Sequence, residues 1–223
     1  MTVPYIDFSD VTPVRVPSSF YSNVGKRLLD VVLVLVALPV VLPLLAIILA
    51  ITAIHGGKPL YIQRRIGRGG QEFRCWKVRT MIHDADRVLA DLMDSDPVVA
   101  REWTENQKLL RDPRITAFGR MLRRTSLDEL PQLWNVLNGT MSLIGPRPFT
   151  PDQKPIYADG RENAAYYRLR PGLSGLWRVS RRNAGSFAER ARYDEEYGRR
   201  LTLAFDLWIL FSTVSVVLSA TGV

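Results

Sequence analysis

Cysteine is nearly missing, with Cys75 the single thiol among 223 residues. One thiol excludes an internal disulfide and a cysteine-built metal site, and it fits a reducing compartment. Its simplest role is a small, packed apolar residue. Histidine is almost as scarce. His55 and His83 stand apart with no metal-ligand partner in sequence, so neither is assigned a role. Acidic residues are outnumbered, 22 Asp and Glu against 30 Lys and Arg, which gives a formal net charge of +8. A basic balance implies anionic partners such as phosphates, an acidic membrane surface or nucleic acid. No recognised nucleic-acid motif is present and the arginines are scattered among apolar segments, so no nucleic-acid partner is expected. Internal repeats and low-complexity linkers are also lacking. With 47% hydrophobic and 23% charged residues, the composition excludes wholesale disorder and suits one packed domain.

Charge is missing altogether from residues 31–54, a run almost wholly of Val, Leu, Ile and Ala. At about 1.5 Å per residue, a straight helix of that length covers a hydrocarbon core of about 30 Å. Pro39 and Pro43 stand in its middle, each removing an amide donor, and they predict a break or kink near 38–44. Lys26 and Arg27 precede the run, while Lys58, Arg64, Arg65 and Arg68 follow it, so both flanks read as cytoplasmic. A helix broken at its prolines that dips into one leaflet and returns satisfies both flanks. An ordinary span satisfies one. Residues 23–56 are therefore read as a re-entrant membrane helix. A signal peptide fits less well, because the run exceeds a usual hydrophobic region and starts behind a polar tail, 1–22, expected to be loosely ordered. A second apolar stretch, 201–220, contains Asp206 and is short for a span. Trp208 and Phe211 suit an interfacial helix, with a helix completing the core as the alternative.

Between these stretches, residues 57–223 read as one cytosol-facing unit. Segments 60–65 and 71–78 alternate around Gly67, Gly69 and Gly70, predicting a hairpin. Helices are expected over 82–93 and 97–110, the second with Asp96 as N-cap and Pro97 at its first position. A short helix ends near Arg124, another covers 132–137 until Asn138-Gly139 stops it, and further helices cover 161–169 and 187–197 around a glycine-containing turn at 171–175. The fold class is α+β and mostly helical: a re-entrant membrane helix, a small β-hairpin, and cytosolic and interfacial amphipathic helices.

The chemistry concentrates in Ser126-Leu127-Asp128-Glu129-Leu130-Pro131. Adjacent carboxylates raise each other's pKa, so both ionise only where cations, a metal or a helix N-terminus supply positive potential. Arg114, Arg120, Arg123 and Arg124 precede the pair and Arg147 follows it, the ingredients of an anionic-substrate site. A second account stays open. Ser126-x-x-Glu129 matches a capping box, which would explain the spacing without function. Pro131 and the arginines on both sides are left unexplained by it.

Blocks in order along the chain resemble the bacterial sugar transferase family. They are Gln63-x-Arg65-x-Gly67-x-x-Gly70-x-x-Phe73, Lys77 to Met81, Asp112 to Thr116, Gly119-Arg120-x-Leu122-Arg123, 126–136, Gly139 to Pro148 and Arg170 to Gly175. The likeness runs from about Lys26 to Leu218 and is similar to the small, single-catalytic-domain monotopic phosphoglycosyl transferases of exopolysaccharide initiation. That resemblance implies transfer of hexose-1-phosphate from a UDP-hexose to undecaprenyl (polyprenyl) phosphate at the cytoplasmic face of the bacterial inner membrane, with membrane lipids as partners. It implies Asp128 as the nucleophile on the β-phosphorus of the UDP-sugar, with UMP released and a phosphosugar left on the carboxylate. Glu129 matches the family's Mg²⁺-binding partner, and Mg²⁺ is content with one or two carboxylates plus phosphate oxygens. Arg123, Arg147 and, with a weaker match, Arg182 fall at phosphate-contacting positions, where guanidinium forks suit the task. Lys77 falls at the family's basic strand position; a solvated strand lysine is the alternative. Asp194 matches an acidic position, with a helix-surface salt bridge as the alternative.

The chain also departs from the family pattern. Leu38-Pro39 and Leu42-Pro43 stand where Ser-Pro is usual, and Arg178 and Arg181 stand where glutamine and glycine are usual, adding charge near the expected phosphate pocket. A phosphohydrolase using the same aspartyl chemistry and a noncatalytic membrane scaffold remain alternatives. The sugar and the oligomeric state are not readable, although the exopolysaccharide likeness leans toward galactose or glucose.

Overall fold

The residues that lack charge form the longest element. In the computed structural model, which describes residues 17–56, 58–157, 165–180, 187 and 189–218, helix α1 covers Lys26–Gly56 after a wider π turn over Tyr21–Gly25. Pro39 and Pro43 lie inside α1, and helical backbone continues on both sides of each. The apolar run is thus one continuous helix that loses an amide donor at each proline without ending there. Among the described residues it is the one helix long and apolar enough to cross a membrane.

One stripe of α1 is committed to the rest of the protein. Asp30, Val34, Ile48 and Thr52 are buried, and Leu38, Val41 and Leu45 join them at three- and four-residue spacing. Val34, Leu38 and Val41 pack with Cys75, Leu133, Val136 and Met141; Leu45, Ile48 and Leu49 pack with Val78 and Leu122. Polar contacts fasten its start. Asp30 Oδ1 accepts from the Leu143 amide at 2.9 Å, and the Arg27 guanidinium donates to the carbonyls of Val136 and Leu137. The opposite stripe, with Leu35, Val36, Val40, Leu42, Ile47 and Ile54, is exposed and apolar.

Strands β1 (Leu60–Ile66) and β2 (Glu72–Val78) form the expected antiparallel hairpin, in a register that pairs Tyr61 with Lys77 and Gln63 with Cys75. Cys75 is fully buried and reduced, as its packing role requires. Helices α2 (Ala85–Ser95) and α3 (Pro97–Asn106) follow, and the Asp96 side chain caps α3 through the Val98 amide at 2.8 Å. Helix α4 spans Ala117–Thr125, a 3₁₀ turn Leu127–Glu129, and helix α5 Gln132–Leu137, closed by Gly139 at φ 84°. Strand β3 (Ser142–Ile144) pairs in parallel with β4 (Gly172–Ser174). The segment 171–175, read from sequence as a turn, is largely strand. Helices α6 (Ala165–Arg168), α7 (Leu176–Ser180), α8 (Arg190–Arg199) and α9 (Leu203–Leu218) complete the order.

Helix α9 completes the core on one side and leaves apolar side chains exposed on another. Ile209 is buried in a cluster with Ile144, Leu176, Trp177, Tyr193, Tyr197 and Leu201, while Leu203, Phe211 and Val214 are exposed. Its buried Asp206 accepts from Lys26 Nζ at 2.5 Å, Tyr21 Oη at 2.5 Å and Tyr197 Oη at 2.7 Å. That carboxylate ties the entry to α1, α8 and α9 into one joint.

Two close backbone approaches set the site's spacing. A Cβ on Gly119 would lie 2.1 Å from the Thr80 carbonyl oxygen, so α4 can rest on the end of β2 only with glycine there. At the β3–β4 pair, a Cβ on Gly172 would meet the Gly145 nitrogen at 2.1 Å. Gly119→Ala must therefore separate α4 from Thr80. Thermal unfolding of the purified protein should show a loss of about 3 kcal/mol, and an unchanged melting temperature would refute this account of the packing.

Candidate active site

Ser126 ends α4 in the left-handed region at φ 59°, with its amide donating back to Arg123 and Leu122. The chain thereby turns off the helix axis and presents Asp128 and Glu129 on a 3₁₀ turn packed against β2. The capping-box account fails here. The Ser126 side chain caps nothing, and its hydroxyl instead accepts from Arg178 Nη2 at 2.7 Å. Both acidic side chains are buried, Asp128 at 7% exposure and Glu129 at 6%.

Glu129 is surrounded by cations from three separate elements. Lys77 on β2 places Nζ 3.6 Å from Oε1, Arg147 after β3 places Nη2 3.0 Å from the same oxygen, and Arg178 on α7 places Nη1 2.5 Å from Oε2. Burial alone would raise the Glu129 pKa. Arg147, Arg178 and Lys77 outweigh it and hold the carboxyl well below the usual carboxylate range. Asp128 differs. No hydrogen bond reaches its carboxylate among the described residues, and burial, then the neighbouring Glu129 charge, push its pKa up against Lys77, Arg123 and Arg147. Environment thus divides two adjacent carboxylates into a firmly ionised one and a less compensated one.

Arg123 leaves the last turn of α4 toward Asp128, and its Nε donates to Thr80 Oγ1 at 2.9 Å. Among the described residues, four cations, Lys77, Arg123, Arg147 and Arg178, face two carboxylates, an excess of two positive charges. The other arginines before the pair do not join them, correcting the reading that all four do. Arg114 is buried against Asp112, with Nη2 to Oδ2 at 2.7 Å, and stacks over Trp103. Helical spacing turns Arg120 and Arg124 outward, where with Met121 they line a shallow groove on the far face of α4.

Other groups position Arg147. Arg190 on α8 donates from Nη2 to the Arg147 carbonyl at 2.5 Å, and Arg65 on β1 donates from Nη1 to the Pro148 carbonyl at 2.9 Å. Asp194 is buried, so the helix-surface salt bridge is excluded; it accepts from Tyr157 Oη at 2.6 Å and lies beside Arg190. Arg65, Thr80 and Arg190 were not assigned from sequence. Arg190 and Asp194 stand four residues apart, a spacing that places them on one helix face. Arg178 was noted only as added charge, and its contact with Glu129 appears in the fold alone. Arg181 and Arg182 lie outside the described residues.

A buried carboxylate pair ringed by guanidinium and ammonium groups thus lies beside a long apolar helix. The chain belongs to the bacterial sugar transferase family, whose sequence pattern matches residues 21–220. It is 42% identical to the exopolysaccharide production protein ExoY of Sinorhizobium fredii, over 90% of this chain and 88% of that protein. It is 41% identical to a UDP-galactose-lipid carrier transferase of Erwinia amylovora, over 98% of this chain and 46% of that protein. It is 43% identical to an undecaprenyl-phosphate galactose phosphotransferase of Salmonella typhimurium, over 88% of this chain and 41% of that protein. The chain thus spans less than half the length of the latter two relatives.

Burial pushes the Asp194 carboxyl up to about 7 against the opposing influence of Arg190 and the Tyr157 hydroxyl. A raised carboxyl stabilises the fold fully when protonated, below about pH 4, and that contribution is lost as pH rises to about 7. Asp194→Asn keeps an acceptor for Tyr157 and should remove this dependence. The wild type is expected to lose about 2 kcal/mol more than the variant between about pH 5 and pH 7.5, read from melting temperatures. Parallel pH profiles would refute it.

Proposed function

We propose that this protein transfers hexose-1-phosphate from a UDP-sugar to undecaprenyl or a related polyprenyl phosphate, in the step that initiates exopolysaccharide or related glycan assembly. The observation that carries this reading is the division of labour in the acidic pair. Glu129 is neutralised by Lys77, Arg147 and Arg178, while Asp128, free of hydrogen bonds among the described residues, faces Arg123. In its ionised form an Asp128 oxygen attacks the β-phosphorus, and the bond from that phosphorus to the bridging oxygen breaks as UMP leaves with the electron pair. An oxygen of the lipid phosphate then attacks the same phosphorus and returns the Asp128 carboxylate. Lys77, Arg123 and Arg147 offset the phosphate charges in both steps, with Arg147, whose side chain is 42% exposed, best placed to move onto substrate. The names of the Erwinia and Salmonella relatives favour galactose.

Mg²⁺ fits this donor set. In this reading the ion would take one buried glutamate and substrate phosphate oxygens, a set that suits Mg²⁺. Glu129 would hold it through Oε1 once Arg147 transfers to phosphate, and the ion would supply further neutralisation of the diphosphate.

Membrane attachment in this reading is one-sided, at the cytoplasmic face of the inner membrane. Supporting it, the buried stripe of α1 follows the cationic body from Asp30 to Thr52, the other stripe is apolar, and α9 exposes Phe211 and Val214. Aqueous labels placed before Lys26 and after Lys58 are expected on the same side of sealed vesicles; opposite sides would establish a true span.

With UDP-galactose and Mg²⁺ but no lipid, the protein should release one UMP per active site and gain a phosphosugar mass at Asp128. Adding polyprenyl phosphate should then yield lipid-linked sugar. Free sugar phosphate instead would indicate a hydrolase. Asp128→Asn should lower turnover by at least about 10³-fold while leaving membrane association intact, and unchanged turnover would sink the assignment.

A further inference from the structure

The three cations at Glu129 are held with different firmness. Lys77 stands off at 3.6 Å, and Arg147 makes one contact from a side chain that is 42% exposed. Arg178 is 13% exposed and fastened at three acceptors: Glu129 Oε2 at 2.5 Å, the Leu173 carbonyl at 2.9 Å and Ser126 Oγ at 2.7 Å. An arriving phosphate can draw Lys77 and Arg147 away from Oε1. Arg178 cannot follow without abandoning Leu173 and Ser126, both held by elements that frame the site. Its charge therefore stays on Glu129 when the other two leave, and it occupies the oxygen opposite the one they vacate.

We infer that Arg178 acts as a built-in counter-cation that competes with a divalent metal for Glu129 and so sets the metal concentration the site requires. This rests on the reading of Glu129 as the metal-binding carboxylate. A cation fixed within hydrogen-bond distance of a carboxylate lowers that group's attraction for a second cation, and the effect is strong where water is excluded. The guanidinium also holds the carboxylate in one orientation, with Oε1 toward Lys77 and Arg147. Arg178 is thus a positioning residue whose influence is read in metal affinity.

The test is Mn²⁺ binding to the full chain in nanodiscs with UDP present, followed by electron paramagnetic resonance of the free ion. Arg178→Gln, which keeps polarity but removes charge, is expected to bind Mn²⁺ about tenfold more tightly than wild type. Arg178→Lys, which keeps charge but loses the fork, should stay within about twofold. Melting temperatures taken alongside identify a variant that has lost its fold. Equal Mn²⁺ affinity in wild type and a folded Arg178→Gln would overturn the inference and leave Arg178 a structural clamp. Glu129→Gln separates the premise: if it fails to weaken Mn²⁺ binding in either background, the metal reading of Glu129 falls, and this inference with it.

Discussion

A buried glutamate is tolerable only if its charge is answered, and the part of this protein around the acidic pair is organised around answering Glu129. The three groups that do so come from the hairpin, the loop after β3 and the short helix α7. Removing an ionised carboxylate from water costs several kcal/mol, so these elements are held to one arrangement by the need to keep their cations within reach. The same arrangement leaves Asp128 undersupplied. Its neighbour takes most of the positive potential, and Asp128 keeps a raised pKa and a carboxylate clear of hydrogen bonds among the described residues.

Cations arriving from separate segments need backbones that approach closely. Glycine provides this at two places. Gly119 lets α4 rest on the Thr80 carbonyl, which brings Arg123 to Thr80 Oγ1, and the Gly145–Gly172 contact brings the Arg147 loop against the strand that leads into α7. Arg65 and Arg190 then pin the backbone at Pro148 and Arg147 from two sides. Remote from the chemistry, Asp206 performs an equivalent role for the apolar elements, gathering Lys26, Tyr21 and Tyr197 at the base of α1. Two buried carboxylates thus organise the two ends of the molecule, one at the site and one at the apolar helices.

Much of the secondary structure was legible because its signals are local. Alternation around Gly67–Gly70 marked the hairpin, Asp96-Pro97 marked the start of α3, and Asn138-Gly139 marked the end of α5. The parallel β3–β4 pair was not legible, since three-residue strands carry too little alternation and their partners lie about thirty residues apart. The prolines of α1 remove two amide donors within one continuous helix. Packing against Cys75, Leu133 and Val136 below Pro39, and against Val78 and Leu122 beyond Pro43, holds the helix together on both sides of the missing donors.

The sequence by itself determined the chemistry available: an Asp-Glu pair, a surplus of cations, one long uncharged run and no thiol or imidazole cluster for a metal. It also determined the family, through blocks that recur in order along the chain. Which arginines serve the site was decided only by tertiary structure. Arg114, Arg120, Arg123 and Arg124 read alike in sequence, yet one pairs with Asp112, two face outward and one, bonded to Thr80, lies within electrostatic range of Asp128, while the shortest contact to Glu129 comes from Arg178, 49 residues away. Charge is a property of composition. The potential at one carboxylate falls off with distance, and distance in a folded chain is set by close-packed backbones that the linear order does not reveal.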